Sequence, residues 1–169
     1  MKARWKMRHR IKPGDIGCLT WLHGTLYAKE CGYDQTFEAY VASGLAEFVQ
    51  SFNPDEDRIW LAETNGRLIG SIAIVGVSEA SAQLRWFLVH PDYRHSGVGR
   101  KLLIKALQFC KKCKYKTVFL WTTNELREAS YLYIRFGFVK IDDKTHKIWG
   151  KRVTEEKYEL HLGSCLHQR

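Results

Sequence analysis

An arginine and two glycines in the spacing Arg-x-x-Gly-x-Gly stand between a strand-like and a helical segment, from Arg94 to Gly99. The first turn of a helix leaves backbone N–H groups without partners and carries a partial positive charge, so it attracts anions. Gly97 and Gly99 let an anion approach those groups without a Cβ in the way. Arg100 and Lys101 add positive charge, and we predict a phosphate or pyrophosphate site here.

Two other phosphate-binding motifs do not fit this stretch. It lacks the Gly-Lys-Ser/Thr ending of the Walker loop, and the dinucleotide fingerprint needs a third glycine, a later acid and a parallel strand order. A tight strand-to-helix turn with incidental basic residues is the alternative without function, and the spacing alone leaves it open.

Two motifs in the chain resemble those of the GNAT acetyltransferases. The stretch VHPDYRHSGVGRKLLIKAL, residues 89–107, resembles motif A of that superfamily. The stretch REASYLYIRFGF, residues 127–138, resembles motif B, with Ala129, Tyr133 and Gly137-Phe138 at the motif's positions. The strand-like segment KTVFLWTT lies between them, as the family requires, and the resemblance covers about residues 9–162.

A narrower resemblance concerns residues 12–49, KPGDIGCLTWLHGTLYAKECGYDQTFEAYVASGLAEFV. This stretch is similar to the opening of acetyltransferase domains that follow MarR-type DNA-binding domains in bacterial fusion proteins. Only about ten residues precede it, so we expect no DNA-binding half and carry over no regulatory role.

The GNAT resemblance implies acetyl-CoA as the cofactor and donor. The pyrophosphate is expected on the backbone amides of residues 95–100, and the pantetheine arm beside the strand before motif A. Asn124 is included in this set, although it stands two residues too far from Ala129 to match the family's usual asparagine. The expected cofactor-binding residues are Phe87, Leu88, Val89, Arg94, His95, Ser96, Gly97, Val98, Gly99, Arg100, Lys101, Asn124 and Tyr133.

The resemblance also implies two catalytic groups. In the superfamily the motif A strand parts from its neighbour, and the unpaired amide of Val89 would then donate to the developing oxyanion, a contribution of about 3 kcal/mol. Tyr133 stands where the family places the general acid that protonates the departing thiolate. A core aromatic with helical spacing is the alternative for Tyr133, and Tyr131 and Phe136 are its nearby competitors.

The general base and the acceptor are less determined. Many superfamily members have a carboxylate on the strand that here reads QLRWFLVH, where Arg85 stands instead. A base acting through water could be Glu30, Glu47, His23 or His146, or the amine loses its proton to solvent. We expect the first two helices and a loop around residues 145–149 to bind a small primary amine. An amine that itself carries a carboxylate is one option. The candidate substrate-binding residues are His23, Tyr27, Glu30, Arg85 and His146, and simple packing is the alternative for the helical ones.

The elements that must position these residues follow from hydrophobic periodicity and turn signals. One helix is predicted to begin at Pro13-Gly14-Asp15 and end near Gly32, and a second to follow Asp34 and stop at Asn53-Pro54. Further helices are predicted over 97–113 and 126–136, and Asn65-Gly66 predicts a β-hairpin. Strands are predicted around that hairpin and at 82–90, 116–123, 138–142 and 157–162. This order predicts a single α/β (α+β) domain over residues 11–162, between a basic segment, 1–10, and a tail, 163–169. The resemblance implies a mixed, mostly antiparallel sheet of six to seven strands with about four helices, splayed between its two central strands.

Composition limits the remaining classes. The 169 residues are 45% hydrophobic and 27% charged, which is typical of one globular domain. No signal core or membrane-length apolar run is found, and five cysteines favour a cytoplasmic protein without disulfides. Cys110 and Cys113 form a single CxxC inside a helical pattern, and we expect no metal site. The net charge of +9 disfavours a lysine-rich protein acceptor.

Two rival functions remain open at this point. One is a CoA-binding sensor or adaptor without catalysis, favoured by the missing strand carboxylate. The other is a nucleic-acid-binding module that uses the basic clusters at 2–12 and 111–116, although no known nucleic-acid motif is found. We expect a small amine as partner, no specific nucleic acid and no membrane, with a homodimer left open.

Overall fold

The structure is a computed structural model that describes residues 4–163, which form seven strands and four helices. The strands are β1 (Lys6–Arg8), β2 (Arg58–Thr64), β3 (Arg67–Gly76), β4 (Ser81–Val89), β5 (Thr117–Thr123), β6 (Val139–Ile148) and β7 (Lys151–His161). The helices are α1 (Asp15–Cys31), α2 (Gln35–Gln50), α3 (Val98–Lys112) and α4 (Arg127–Arg135). A 3₁₀ turn, Pro91–Tyr93, follows β4.

One sheet with the strand order β1-β2-β3-β4-β5-β7-β6 forms the centre of the domain. Every neighbouring pair is antiparallel except β4 and β5, which are parallel. Helices α1 and α2 pack their apolar stripes on one face of the sheet, and α3 packs on the other. The predicted α/β class, with a mixed and mostly antiparallel sheet, is therefore confirmed.

Local chemistry explains where the first elements begin and end. Gly32 ends α1 in the left-handed conformation, and the side chain of Asp34 begins α2 by accepting a hydrogen bond of 2.9 Å from the Thr36 amide. Asn65 and Gly66 both have positive φ, 48° and 74°, as a two-residue turn between antiparallel strands requires. The predicted helices and hairpin are confirmed.

The two central strands separate after a short paired stretch. Only Ser81, Ala82 and Gln83 of β4 pair with β5, while β5 pairs with β7 along its whole length. The second half of β4 therefore has a strand neighbour on one side only. The implied splay is confirmed, and it leaves a gap in the middle of the sheet.

A β-bulge in β4 changes which side chains face each helical layer. Trp86 has a φ of 47°, and the pairing with β3 shifts by one residue at this point. Ala82 and Leu84 pack in the core beside α3, whereas Trp86 and Leu88 pack beside α1 and α2. Since side chains alternate along a strand, this change of face requires the extra residue. The sequence pattern did not predict the bulge.

Strand β6 corrects one prediction about the acceptor site. The sequence predicts a loop around residues 145–149, but residues 145–148 belong to β6 and pair with β7 as far as Ile148 and Lys151. The turn consists of Trp149 and Gly150, with φ of 53° and 81°. β6 is polar and mostly exposed, so it lacks the apolar alternation by which a strand is recognised.

The ends of the chain add one strand. Lys6, Met7 and Arg8 pair with β2, so the sheet includes part of the predicted basic segment. Residues 1–3 and 164–169, with Cys165 and nearly all of the predicted tail, lie outside the described residues. The limits 11–162 stay a prediction.

Candidate active site

A cleft of about 970 Å³ lies between the end of β4, the first turn of α3 and helix α4. We call it the cofactor cleft. It is located where β4 has lost its pairing with β5. The residues of the predicted cofactor-binding set that line it are Phe87, Leu88, Val89, Arg94, His95, Gly97, Gly99 and Arg100.

The first turn of α3 offers an open surface of backbone donors. Gly97 precedes the helix with a φ of 86°, a conformation that favours glycine, and a Cβ there would meet no atom within 4 Å. Within residues 4–163 no side chain caps this helix, so the amides of its first turn have no intrahelical or capping partner. An anion such as a pyrophosphate fits this space and these donors.

Four residues of the predicted cofactor set face away from the cleft. The Ser96 hydroxyl donates to the Tyr93 carbonyl, and the Val98 side chain is fully buried in the core. Lys101 places its Nζ 5.2 Å from the Trp5 ring centroid. Asn124 is exposed, and its amide donates to the Thr154 carbonyl at 3.1 Å. None of these side chains lines either cavity described here.

Arg94 connects α1 to the end of β4. Its Nη2 donates to both carboxylate oxygens of Glu30, at 2.8 and 3.1 Å, and its Nε donates to the Val89 carbonyl at 3.1 Å. Glu30 was a candidate for base or substrate contact, but its carboxylate is held by this guanidinium. The pair forms one wall of the cofactor cleft.

The Val89 amide points into the gap between the separated strands. The His90 amide donates to the carbonyl of Ile69, in β3, at 2.7 Å. Because backbone groups alternate along a strand, the N–H and C=O of Val89 point away from β3, toward the side on which β5 no longer pairs with β4. The contact of the Val89 carbonyl with Arg94 agrees with that direction.

Tyr133 of α4 is buried against Phe87 of β4. It is 4% exposed, and its ring centroid is 5.8 Å from that of Phe87. Burial, together with the nearby Tyr27, raises the pKa of the Tyr133 phenol well above 10. This phenol therefore keeps its proton at neutral pH. Its competitor Tyr131 is 65% exposed on the rim of the cleft, and Phe136 is half-buried.

A second cavity of about 120 Å³ lies across the gap, between the sheet and helices α1 and α2. We call it the second pocket. The residues that line both this pocket and the cofactor cleft are Tyr27, Phe87, Leu126 and Ala129, so the two cavities meet there. Tyr133 lines the second pocket. The other aromatic residues of its wall are Tyr33, Phe37, Tyr40, Trp86, Trp121 and Trp149.

His23 is the most buried polar side chain of the second pocket. It is 2% exposed, and its Nδ1 lies 2.8 Å from the Leu19 carbonyl, an acceptor, so Nδ1 carries the hydrogen. Its Nε2 is buried and has no hydrogen-bond partner among the described residues. Burial lowers the pKa of the imidazole to about 4, so at neutral pH Nε2 presents an unused lone pair.

The other predicted substrate-binding residues are divided between three places. Tyr27 and Arg85 line the second pocket with His23, and Glu30 lines the cofactor cleft. His146 lines neither cavity; its Nε2 lies 2.6 Å from Glu155, which does line the second pocket. The structure therefore brings three of the five candidates together.

Several residues of the two cavities were not assigned from the sequence. Arg127, Tyr131 and Arg135 of α4 line the cofactor cleft. They stand four residues apart, so they share one helix face, and this spacing was a signal in the sequence. The aromatic wall of the second pocket carried no such signal, because its residues come from α1, α2, β4, β5 and the β6–β7 turn.

Two further kinds of site are absent from the described residues. Within residues 4–163 no group of three or more His, Cys, Asp or Glu side chains is arranged to hold a metal ion. Over the same range, none of the helices combines the length and the apolar character that crossing a bilayer needs.

Comparisons with known proteins agree with this geometry. Residues 55–140 match the family model described as an acetyltransferase (GNAT) domain. An uncharacterised N-acetyltransferase of Methanocaldococcus jannaschii is 33% identical over 90 residues, which cover 50% of this chain and 40% of that relative's own length. An acetyltransferase of Streptococcus agalactiae superposes with a TM-score of 0.75 at 22% identity, over 94% of this chain and 98% of the other.

A further solved structure was obtained with ligands. The spermidine N-acetyltransferase of Vibrio cholerae, in complex with CoA and spermine, has a TM-score of 0.69 at 18% identity, over 93% of this chain and 95% of the other. At these identities the solved structures support the fold. The family model covers about half of the sequence, including all of β4, α3 and α4. The chain therefore belongs to the GNAT acetyltransferase domain family.

Proposed function

We propose that this chain is an N-acetyltransferase that takes acetyl-CoA as donor and a small-molecule primary amine as acceptor. The observation that carries this proposal is the meeting of two cavities at Tyr27, Phe87, Leu126 and Ala129. One cavity ends on an uncapped helix N-terminus, and the other is lined by aromatic rings. Family membership and the CoA-bound neighbour support the same reaction class.

The donor would lie in the cofactor cleft. The amides around Gly97, with Arg100 beside them, would bind its pyrophosphate, and the free edge of β4 would lie along its pantetheine arm. When bound, acetyl-CoA supplies an acetyl thioester that an amine can attack. The fit rests on the open space beside Gly97 and on the unpaired half of β4.

Two groups of the chain would assist the transfer. The Val89 amide would donate to the carbonyl oxygen as negative charge develops on it, and fixed backbone donors of this kind contribute about 3 kcal/mol. Tyr133 would give its proton to the departing sulfur. Burial keeps this phenol protonated at neutral pH but also makes it a weaker acid, so it can give its proton only to a thiolate held directly against it.

Direct attack by the amine follows from the groups available in the cavities. Cys31 lines the cofactor cleft, but burial raises the pKa of its thiol to about 11, so it is not an activated nucleophile. The carboxylates near the junction are held by basic partners, Glu30 by Arg94 and Glu125 by Lys151 at 2.5 Å. The amine would therefore attack the thioester carbon directly, without an acyl-enzyme stage. The C–N bond forms first, the C–S bond then breaks as the sulfur takes a proton, and the nitrogen releases its proton to solvent.

Other finer predictions stay predictions. They are the cytoplasmic location, the homodimer and the specific likeness to acetyltransferase domains of MarR fusions. The relative from Methanocaldococcus jannaschii is matched over less than half of its length, so its activity as a whole protein supports only the reaction class.

The test combines a binding and a turnover measurement. Calorimetry with acetyl-CoA should give saturable one-to-one binding, and mass spectrometry after incubation with a panel of primary amines should show products heavier by one acetyl group. Tight binding without any acetylated product would favour the sensor role instead. Absence of binding would contradict both.

A further inference from the structure

Arg85 is a positive charge without a protein counterion at the second pocket. Among the ion pairs of residues 4–163, none includes Arg85. Arg94, at the far end of the same strand region, is satisfied by Glu30 and the Val89 carbonyl. A guanidinium carries five N–H donors and is rarely left partly buried without an anion to receive them.

The packing around Arg85 holds its side chain in place. Its Cζ lies 4.3 Å from the Trp86 ring centroid, and its Nη2 lies 2.8 Å from the position that a Cβ on Gly44 would occupy. Helix α2 therefore leaves room for the guanidinium at Gly44, where any larger residue would displace it. Stacking on a ring uses the face of the guanidinium and leaves the N–H groups at its edge available.

His23 supplies a second unfilled group in the same cavity. Its Nε2 is buried, accepts no hydrogen bond from the described residues, and belongs to a residue that lines the pocket. The ring stacks on Tyr27, with centroids 5.9 Å apart, and Tyr27 is one of the residues where the two cavities meet. This atom is closed to solvent, so toward the pocket the neutral imidazole contributes ring surface to the wall.

Interlocked aromatic rings form the apolar part of the pocket wall. Trp149 contacts both Tyr33 and Phe37, with ring centroids 5.0 and 4.9 Å apart, and Tyr27 stacks on Phe37 at 4.6 Å. Such an interlocked wall presents a fixed apolar surface. Glu155 is the acid that lines this pocket, and His146 and Lys144 hold its carboxylate at 2.6 and 3.4 Å.

We propose that the second pocket takes an amine that also carries a carboxylate and an apolar body, that is, an amino acid with an apolar or aromatic side chain. The carboxylate binds the Arg85 guanidinium, and the apolar body packs against the aromatic rings of the wall. An arginine can hold a carboxylate with two parallel hydrogen bonds, which a neutral or cationic end group cannot form. The inference rests on the proposed function, because it names the acceptor of that reaction.

The test uses matched triplets of acceptors: phenylalanine with phenylalaninamide and phenethylamine, and leucine with leucinamide and isoamylamine, with spermidine as a polycation. Acetylation is followed by mass spectrometry and by thiol release, and kcat/KM is compared within each triplet. We expect kcat/KM for the amino acid to exceed that for its amide at least tenfold. Equal values, or a preference for spermidine, would overturn the inference and leave the proposed function standing.

Variants assign the preference to the two residues. Arg85→Met, which keeps a long apolar side chain against Trp86, should lower kcat/KM at least tenfold for the amino acids and within twofold for the amides. Arg85→Lys should retain part of the preference, because the charge remains. His23→Leu should lower kcat/KM for both members of a pair alike, because the ring that packs against Tyr27 is part of the wall that both molecules meet. Arg67→Met, an exposed arginine at the start of β3, is the matched control and should change nothing.

A binding measurement separates the inference from turnover. Calorimetry of phenylalanine and phenylalaninamide is carried out on the chain saturated with CoA. Preferential binding of phenylalanine that Arg85→Met abolishes supports the carboxylate site, whether or not any amine is acetylated. Failure of all acetylation with this binding intact would contradict the proposed reaction alone. Binding of the amide as tight as that of phenylalanine would contradict the inference.

Discussion

The cofactor cleft and the second pocket lie on opposite sides of the same gap between β4 and β5, yet they are built in different ways. The cleft presents backbone donors, namely the amides at the first turn of α3 and the unpaired edge of β4, beside basic side chains such as Arg100, Arg127 and Arg135. The second pocket presents side chains from helices α1, α2 and α4, from strands β4, β5 and β7 and from connecting turns, with Arg85 and His23 beside aromatic rings. Backbone recognition suits a cofactor shared by a family, and side-chain recognition suits an acceptor that differs between members.

The two cavities also differ in how far their polar groups are paired within the protein. On the cleft side, Arg94 is bonded to Glu30 and to the Val89 carbonyl, so its charge is largely used within the protein. On the pocket side, the Arg85 charge and the His23 Nε2 have no polar partner among the described residues. A half-buried guanidinium without an anion is costly, and this difference supports the proposal that a ligand completes the pocket.

The largest expected effect concerns the unfilled imidazole and the stability of the fold. Burial lowers the pKa of His23 from 6.5 to about 4, so between these values the unfolded chain binds more protons than the folded one. The free energy of unfolding should therefore fall as the pH falls from 6.5 to 4, by about 3 kcal/mol from this residue. Urea unfolding at pH 7 and pH 4.5 measures the difference.

The control for that experiment is a comparison of pH dependence. His23→Leu should lose the pH dependence of stability that comes from His23. His9→Gln, a change at an exposed histidine, should keep it. Carboxylates with lowered pKa, such as Asp15 and Glu63 beside Arg8, contribute equally in all three proteins. The same pH slope in His23→Leu as in the parent would show that the imidazole is not held neutral in the fold.

The next effect tests whether the junction of the cavities performs chemistry. Tyr133→Phe keeps the ring and its packing against Phe87 and removes only the hydroxyl. Turnover with a good amine should fall about 100-fold, the lower range for loss of a positioned acid, while acetyl-CoA affinity stays within about threefold. Steady-state kinetics and calorimetry measure the two quantities.

Tyr131→Phe and Tyr93→Phe serve as controls, because Tyr131 is exposed and neither residue lines the second pocket. Both should alter turnover by less than about threefold. Parent-like turnover in Tyr133→Phe would mean that the sulfur leaves without an acid or takes its proton from another group.

A smaller effect is expected where the cleft depends on backbone alone. Gly97→Val should weaken acetyl-CoA binding at least tenfold, about 1.4 kcal/mol, because the side chain would occupy the open space beside the α3 amides. Gly14→Val is the matched control, since Gly14 precedes α1 with a similar positive φ of 92° and open surroundings, away from both cavities. Equal affinities in the two folded variants would mean that the α3 terminus does not hold the phosphates.

The same contrast explains which features were predictable from sequence. Glycines at Gly97 and Gly99, Asn65-Gly66 and the apolar stripe of α3 are local signals, so the helices, the hairpin and the α3 site were predicted. The bulge at Trp86 depends on pairing with β3, and the long β6 depends on pairing with β7, so neither appears in local patterns. The aromatic wall combines residues as distant as Tyr33 and Trp149, and the sequence contains no signal for their contact.

The smallest expected effect compares a residue that the motif suggested with one that only the structure places. Arg127 lines the cofactor cleft, whereas Asn124 is exposed and lines neither cavity. Arg127→Ala should weaken acetyl-CoA binding three- to fivefold, since an exposed charge contributes up to about 1 kcal/mol, and the loss should shrink in 1 M salt, where charges are screened. Asn124→Ala should leave the affinity within a factor of about 1.5. Calorimetry of both variants at two salt concentrations measures these differences. If Asn124→Ala is instead the weaker binder, the position of the family's asparagine predicts the site better than the lining of the cleft does. The contrast between the cofactor cleft and the second pocket would then have to include the side chain of Asn124 on the cofactor side.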